Sequence, residues 1–577
     1  MNYWNMQLHP NDLGWTKEKE LLEKHHLIGL GDWEEAAGQQ PNFENTMAIG
    51  DYVLIKHGGD IIALTRIIGN YFYDENTDDL RWFQRCRQVE VLDWYKKDYD
   101  FKVSSRKALE RYNENNNTEQ LQSIKKWINM INIKTFIKEN KDLLIANHNL
   151  ILTGAPGTGK TYLAKQIAQQ MIFGEIKEKM NPNEEKQFNE QCCFVQFHPS
   201  YDYTDFVEGL RPKEDNGNVV FKLQNGIFKA FCKKSLIPKL TKPVKDITIR
   251  ITNYDLIYQQ MLNSLKVGDE FKEKSGNLIR ISKIDIENQT LTLFNSNNKE
   301  VVFTKEKLQK HIELYPTGKS LHNDHNNENI TGNASVFWAV ANYFYEYYYI
   351  HTLPFIFIID EINRGEISKI FGELFYSIDP GYRGKDGKVR TQYANMQTTP
   401  NDFDKSLGIT DSNDYGHFFV PENVYIIGTM NDIDRSVESM DFAFRRRFAF
   451  KEITAKYSKQ MLDSDDAWGK DKMPKPDFLQ KVKDKMNAIN KVIFDDDDEN
   501  VGIEGLSSAY HIGASYFLKL ANYRNENGEY DETSFSDLWE NHLEGLLLEY
   551  MRGMADVQKK IKKLANAYGY SKMNKYE

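Results

Sequence analysis

Residues 154–161 spell Gly-Ala-Pro-Gly-Thr-Gly-Lys-Thr, the pattern G-x-x-x-x-G-K-[ST], and their flanks give the octet its meaning. An apolar run, Asn149-Leu150-Ile151-Leu152, leads into it, and a helical pattern from Tyr162 through Met171 leads out. Glycines in such a turn let backbone N–H groups wrap phosphate oxygens, and the positive end of the helix that starts there adds to the attraction. Gly154, Pro156, Gly157, Thr158, Gly159, Lys160, Thr161 and Tyr162 are therefore candidate nucleotide-binding residues. Lys160 is suited to the β/γ-phosphates and the Thr161 hydroxyl to a Mg²⁺ ion. A strand–loop–helix unit of this kind commits the surrounding chain to an α/β fold, and the expected ligand is a nucleoside triphosphate.

A second motif supplies carboxylates. Pro354–Arg364 reads PFIFIIDEINR, a dry strand that delivers two acids at its C-terminal end, where ligand sites lie in open α/β sheets. Two acids at the end of a buried strand are costly without a cation, so Asp360 is the candidate Mg²⁺ holder and Glu361 the residue that orients water. A further strand, Asn423–Asn431, ends in an amide rather than an acid. In that order Asn431 is placed to contact the γ-phosphate and the lytic water, and Asp434, in the run Asp432–Ser436, joins the candidate catalytic set. Phe442–Phe450 then reads FAFRRRFAF. A guanidinium presented to a neighbouring subunit's nucleotide neutralises transition-state charge. Arg446 and Arg447, nearest the following strand, are better placed for that role than Arg445.

Bulk properties bound the rest. A chain of 577 residues exceeds one ordinary core, and two to four domains are expected. With 40% hydrophobic and 27% charged residues the composition is that of a soluble globular protein. No run of 18 or more apolar residues occurs, and the first residues lack a charged-then-apolar signal pattern, so a cytoplasmic location without membrane contact is expected. Cys86, Cys192, Cys193 and Cys232 show no C-x-x-C spacing, which argues against a disulfide framework or a zinc site. Cys192-Cys193 open an apolar run and read as core thiols. A net charge of −10 excludes a uniformly basic nucleic-acid binder but not a local basic surface. Asp495–Glu499 reads as a solvated loop, since successive acids rarely converge on one ion without turn glycines.

Along the chain, residues 1–105 read as a small β-rich domain with strands at Asp51–Lys56, Ile61–Ile68 and Gln88–Leu92. Residues 106–130 form a linker entering a helix at Leu121–Glu139, and 131–455 carry the large α/β part. Within it, residues 242–330 hold short β-branched strands at Asp246–Ile251, Leu278–Ile284, Thr290–Phe294 and Glu300–Phe303, then a polar run at 322–329. These are read as a β-rich insertion, the alternative being further strands of the main sheet. Residues 456–577 are helical, with a strand-like segment near Ala509–Phe517.

Taken together, the octet, the Asp-Glu strand, the amide strand and the arginine box resemble an AAA+ module: a P-loop NTPase with a helical lid. The string Met430-Asn431-Asp432-Ile433-Asp434-Arg435-Ser436 resembles the MNTxDRS signature of McrB-type GTPases of modification-dependent restriction systems. Phe197–Pro212 (FHPSYDYTDFVEGLRP), Asn225–Phe228 (NGIF) and Ile512–Phe517 (IGASYF) fit that family too. The resemblance spans roughly residues 145–550. It implies GTP as substrate, Mg²⁺ as cofactor, a homo-hexameric ring, modified double-stranded DNA as target and a separate McrC-like nuclease subunit. No nuclease trio of the Asp…Glu-x-Lys kind stands out in this chain. Two positions depart from the pattern: Asp432 replaces Thr, and Ala514 stands where His is expected. Guanine selectivity is implied by the resemblance alone, because a P-loop reads phosphates and not the base.

The first hundred residues resemble EVE and wider PUA-like domains, through Tyr3-Trp4 and the Gly50-Asp51 strand hairpin. That resemblance implies a pocket for a flipped modified base, stacked between aromatics. Trp4, Trp15, Trp33, Trp82 and Phe83 are candidate stacking residues, and Arg66, Arg81, Arg85 and Arg87 candidate phosphate contacts. The same aromatics could equally fill the core of a small barrel. Three functions compete: a GTP-driven motor acting on modified DNA, a nucleotide-locked scaffold without hydrolysis, against which the intact Lys160, Thr161, Asp360, Glu361 and Asn431 speak, and a MoxR-like ATPase that remodels protein partners.

Overall fold

A computed structural model describes residues 1–10, 14–31, 39–96, 107–113, 118–177, 179–215, 218–236, 254–272, 276–294, 299–314, 336–337, 339–341, 343–344, 353–433, 441–469, 471–498 and 501–576. The chain forms two compact units that cut across the linear boundaries read above. One contains Met1–Asn140, Gly154–Leu163 and Glu452–Glu577; the other contains Lys141–Thr153 and Ala164–Lys451.

The first unit begins with a seven-stranded sheet. Its strands are β1 (Tyr3–Gln7), β2 (Leu27–Leu30), β3 (Tyr52–His57), β4 (Asp60–Ile67), β5 (Phe72–Tyr73), β6 (Arg85–Trp94) and β7 (Leu109–Tyr112), with α1 (Glu18–His25) between β1 and β2. β7 pairs with β1, so the sheet closes beyond the boundary at 105 that sequence suggests. Alternation sorts its side chains. Trp4, Met6, Val53, Ile55 and Ala63 build the core on one face; Leu54, Ile61, Leu64 and Tyr112 lie in another cluster with Ile124, Trp127 and Ile128. Those last three belong to α2 (Thr118–Asn147), the helix expected from Leu121.

In this unit the C-terminal residues are helical. Pro476–Ile493 buries Leu479, Val482, Met486, Ile489 and Ile493, and Val557–Tyr568 buries Ile561, Leu564, Ala565 and Tyr568. This is the i, i+3, i+4, i+7 stripe of helices that pack on one face. The strand-like segment near Ala509–Phe517 is instead a 3-10 turn, Ser508–Tyr510, and a helix, Ala514–Leu518. Gly513 between them is extended, but its N–H goes to Pro156 and not to a sheet neighbour.

The second unit is built on a parallel sheet. β8 (Asn149–Thr153) runs into the glycine loop, and α3 (Lys160–Phe173) leaves it. β9 (Cys192–Gln196) follows, then an antiparallel hairpin of β10 (Glu208–Asp215) and β11 (Asn218–Asn225). Next come β12 (Glu270–Lys272), β13 (Leu278–Asp285), β14 (Thr290–Phe294) and β15 (Glu300–Thr304), a four-stranded meander with its own core of Tyr258, Met261, Phe271, Leu291, Phe303 and Phe344. Among the described residues it shares no strand pairing with the parallel sheet, so Leu278–Asp285, Thr290–Phe294 and Glu300–Thr304 are not strands of that sheet. The strand expected at 246–251 and the polar run at 322–329 lie outside the described residues.

β16 (Phe355–Asp360) carries the acids, β17 (Val389–Arg390) and β18 (His417–Phe418) pair with each other, and β19 (Val424–Thr429) and β20 (Ala449–Glu452) complete the set. The five-stranded order is β20-β8-β19-β16-β9, with β8, β19, β16 and β9 parallel to one another. β8 is buried throughout and β16 in all but its last residue, as expected of strands covered on both faces. Parallel pairing brings the C-terminal ends of β8, β19 and β16 to one edge, which therefore receives Thr153, Thr429 and Asp360.

Candidate nucleotide site

The loop after β8 owes its shape to glycine. Gly157 and Gly159 lie at φ +77° and +83°, a region that side chains with a Cβ rarely enter. Lys160 is buried, and its Nζ donates to the carbonyls of Gly154 at 3.0 Å and Ala155 at 2.9 Å. Thr158 Oγ1 donates to Ala155 O at 2.9 Å, fixing the turn from within. Tyr162 is exposed.

Residues from the far C-terminal end grip this loop through backbone. Gly513 N–H donates to Pro156 O at 3.1 Å and Ser515 N–H to Gly157 O at 3.0 Å. The approach is so close that a Cβ on Gly513 would lie 2.1 Å from the Gly157 carbonyl carbon. Met461 packs against Gly159 from another direction: its sulfur would lie 2.4 Å from a Cβ there. Ala514 is buried, and its N–H donates to Ser458 Oγ at 3.1 Å. A larger side chain at 514 would have to displace this packing.

At the edge of the parallel sheet, Asp360 and Glu361 occupy different conformations. Asp360 ends β16, and its Oδ1 accepts from Thr429 Oγ1 at 2.6 Å. Glu361 turns to φ +52°, ψ +47°, a left-handed conformation costly for a residue with a Cβ, which swings its side chain out of the strand's alternation. Asn431 Nδ2 donates to Glu361 Oε1 at 2.7 Å, and Arg364 Nε lies 3.3 Å from Glu361 Oε2. Thr429 Oγ1 also accepts from the Glu361 N–H at 3.3 Å, and Asn363 Nδ2 donates to Asn431 O at 3.5 Å. Asp360, Glu361 and Asn431, singled out separately in sequence, are one hydrogen-bonded cluster.

Thr429, Asn363 and Arg364 are members that sequence reasoning did not assign. Arg364 stands in the DEINR string, and its i+3 spacing from Glu361 is the signal that could have found it. Thr429 could have been found as the last β19 residue, level with the acids once β16 and β19 are taken as neighbours. Carboxylate and hydroxyl oxygens are hard donors of the kind Mg²⁺ takes beside phosphates, usually with only one or two protein ligands. The donor set fits that ion. Asp434 lies outside the described residues.

One expectation is corrected in the arginine box. Arg447 is buried: its guanidinium donates to Ala443 O, lies 3.5 Å from Asp379 Oδ2 and sits 5.7 Å from the Phe375 ring centroid. Packing holds it inside its own unit, which removes it as a finger for a neighbour. Arg445 lies over Phe450, at 5.0 Å. Arg446 is exposed, one turn beyond Phe442, which is 87% exposed.

Corrections also fall on the N-terminal candidates. Trp4 is fully buried, with Nε1 donating to Asp51 Oδ2 at 2.9 Å, so it packs the sheet instead of presenting a stacking face. Phe83 is fully buried as well. Arg66 pairs across the sheet with Glu90 at 2.7 Å. Arg81 donates to Asp74, Arg85 to Glu44 and Arg87 to the carbonyls of Phe43 and Glu44. The guanidinium groups of Arg81, Arg85 and Arg87 are used within the fold, whereas Arg66 and Glu90 pair at the exposed surface. Trp82 is half-buried, edge-on to Phe83 at 5.2 Å, and Trp33 lies outside the described residues.

Loop, acidic strand and parallel order together define an AAA-type P-loop NTPase fold with a β-rich N-terminal region. Residues 304–448 match the AAA domain model of the dynein-related subfamily, which spans Asp360, Glu361, Asn431 and the arginine box but not the octet. Residues 10–128 match a domain of unknown function, DUF8426. The chain is 26% identical over 390 residues to the type IV methyl-directed restriction enzyme EcoKMcrB subunit of Escherichia coli K12, covering 67% of this chain and 50% of that protein. It is 27% identical over 176 residues to the type II restriction enzyme BsuMI component YdiS of Bacillus subtilis 168, covering 30% of this chain and 45% of that protein. The chain thus spans about half the length of the curated relatives it matches. A solved structure of an Agrobacterium tumefaciens protein aligns with 21% of this chain and 90% of its own, at 19% identity and a TM-score of 0.15.

Proposed function

We propose that this chain is a GTP-hydrolysing AAA+ motor subunit of a modification-dependent restriction system. In this reading it forms a homo-hexameric ring that recognises modified duplex DNA and drives translocation for a partner McrC-like nuclease. The observation that carries the enzymatic part is the Asp360–Thr429 and Glu361–Asn431 cluster at the edge that also receives the strand entering the loop. The restriction context is supported by the two relatives and by the Met430–Ser436 string. The MoxR-like alternative lacks such support.

Lys160 and the loop N–H groups would bind the β/γ-phosphates, while Thr161 and Asp360 would hold Mg²⁺, which neutralises phosphate charge when bound. Glu361 orients and polarises the attacking water, and Asn431 fixes the carboxylate that does so. Arg446 is the group offered to a neighbouring subunit's nucleotide.

The test is steady-state hydrolysis of GTP and ATP by the full chain, with duplex binding measured in parallel. GTP turnover at least tenfold above ATP, and at least tenfold tighter binding to a methylated or hydroxymethylated duplex than to its unmodified twin, are expected. Equal rates on both nucleotides would overturn the guanine preference; equal affinity across a panel of modifications would overturn recognition of modified DNA by this chain.

A further inference from the structure

Helix α2 touches two different things with two opposite faces. At 3.6 residues per turn, Ile124, Trp127, Ile128 and Ile131 share one side, and Lys126, Asn129 and Phe136 share the other. The first side belongs to the N-terminal sheet: these residues cluster with Leu54, Ile61, Leu64 and Tyr112, and Trp127 Nε1 donates to Asp93 Oδ2 at 2.9 Å. The second side belongs to residues far along the chain. Asn129 Nδ2 donates to Asp463 Oδ2 at 2.6 Å, Lys126 Nζ lies 3.2 Å from Asp465 Oδ2, and the Phe136 and Tyr457 rings meet at 4.0 Å. Lys483 secures the other Asp463 oxygen.

The segment that receives α2, Ala455–Asp463, is the same one that bears on the glycine loop. Met461 abuts Gly159, and Ser458 accepts from Ala514 beside the Gly513 and Ser515 bonds to Pro156 and Gly157. An unbroken series of contacts therefore runs from β3 and β4 through α2 and the 455–463 segment to the phosphate loop. The Lys126–Asp465 pair lies at the exposed surface, but the Asn129–Asp463 step and the Lys483–Asp463 pair are half-buried, where screening is weaker.

We infer that α2 is a strut that couples occupancy of the phosphate loop to the N-terminal sheet, so that nucleotide and the sheet's own ligand regulate each other. This rests on the reading of residues 154–161 as a nucleotide site. A nucleotide that shifts Met461 shifts the platform for Asn129 and Phe136, and the far face of the helix carries that shift to Leu54 and Leu64. Coupling of this kind is reciprocal: whatever binds the sheet changes nucleotide affinity by the same factor.

Hydrogen–deuterium exchange on the full-length Glu361→Gln protein, with and without saturating magnesium GTP, tests this. Nucleotide should slow exchange at residues 154–163 and, at the same time, change it at least threefold in Leu121–Ile131 and in β3–β4. Asn129→Asp places a second carboxylate against Asp463 and should abolish the distal change while protection at 154–163 persists. Adding Asp463→Asn exchanges the donor and acceptor roles and should restore it, which separates a lost contact from a misfolded protein. A protected loop with an unchanged N-terminal sheet in the parent overturns the inference, as does a distal response that survives Asn129→Asp. A loop that neither GTP nor ATP protects overturns the nucleotide reading itself.

Discussion

Glu361 stands at a left-handed backbone position with one oxygen on an amide and the other beside a guanidinium, an arrangement that positions a charge and tolerates little change. Glu361→Gln keeps the shape and removes the charge, so hydrolysis should fall by about 10²-fold or more while nucleotide binding persists, read by turnover and by equilibrium binding of a fluorescent analogue. Thr429→Val removes the donor to Asp360 and the acceptor for the Glu361 N–H; turnover should drop at least about tenfold, with a stability loss near 1–2 kcal/mol by chemical denaturation. The arginines separate by burial. Arg447→Ala should cost about 2–3 kcal/mol of stability, whereas Arg446→Ala should stay within roughly 0.5 kcal/mol of the parent and lose hydrolysis. Sequence identified Asp360, Glu361 and Asn431 because motif residues declare their chemistry. It could not separate Arg446 from Arg447, because which side of a single helical turn faces the core depends on Phe375 and Asp379, remote in sequence.

At the scale of elements, the parallel strands were legible because dry runs ending in acid or amide leave little choice of structure. The lid segment was not: Ala509–Phe517 has the apolar content of a strand, and only the proximity of Gly157 explains the extended glycine followed by a helix. That contact is backbone to backbone, so Gly513→Ala should weaken nucleotide binding more than tenfold without unfolding the helical region, as checked by calorimetric titration against circular dichroism. β8 carries a pH dependence at its entrance. His148 is at φ +57°, its ring stacked on Tyr425 at 5.4 Å and 6°, and burial, then the charge of Arg383, pushes its pKa down to about 4. The unfolded chain takes up this proton as pH falls through about 6.5 and the folded chain only near 4. Stability is therefore lost on acidification across that window, by an order of 2–3 kcal/mol. His148→Asn, which tolerates the left-handed backbone, should flatten urea-unfolding stability between pH 6.5 and 4.5.

On the scale of the whole molecule, a trans arginine makes a prediction about mixtures. Arg446→Ala and Glu361→Gln subunits, each inactive alone, should recover part of the activity when mixed, since the two defects fall on opposite sides of a shared site; mixed assemblies with no activity at any ratio would count against it. Which parts of the chain form one unit was not legible, because periodicity and motif spacing are local and the joining contacts, such as Asn129 with Asp463, link residues hundreds of positions apart.

That distribution has a consequence for synthesis. The first unit is assembled from Met1–Asn140, a short middle piece and Glu452–Glu577. At 5–20 residues per second a ribosome needs about 15–60 s to make the stretch between Asn140 and Glu452. Through that interval the N-terminal sheet can close on Ile124 and Trp127, but Asn129 and Phe136 await partners that have not yet been translated. The side of α2 destined for Tyr457 and Asp463 is thus a nascent-chain surface open to chaperones, and slowing translation of the middle of the message should lengthen its exposure in direct proportion.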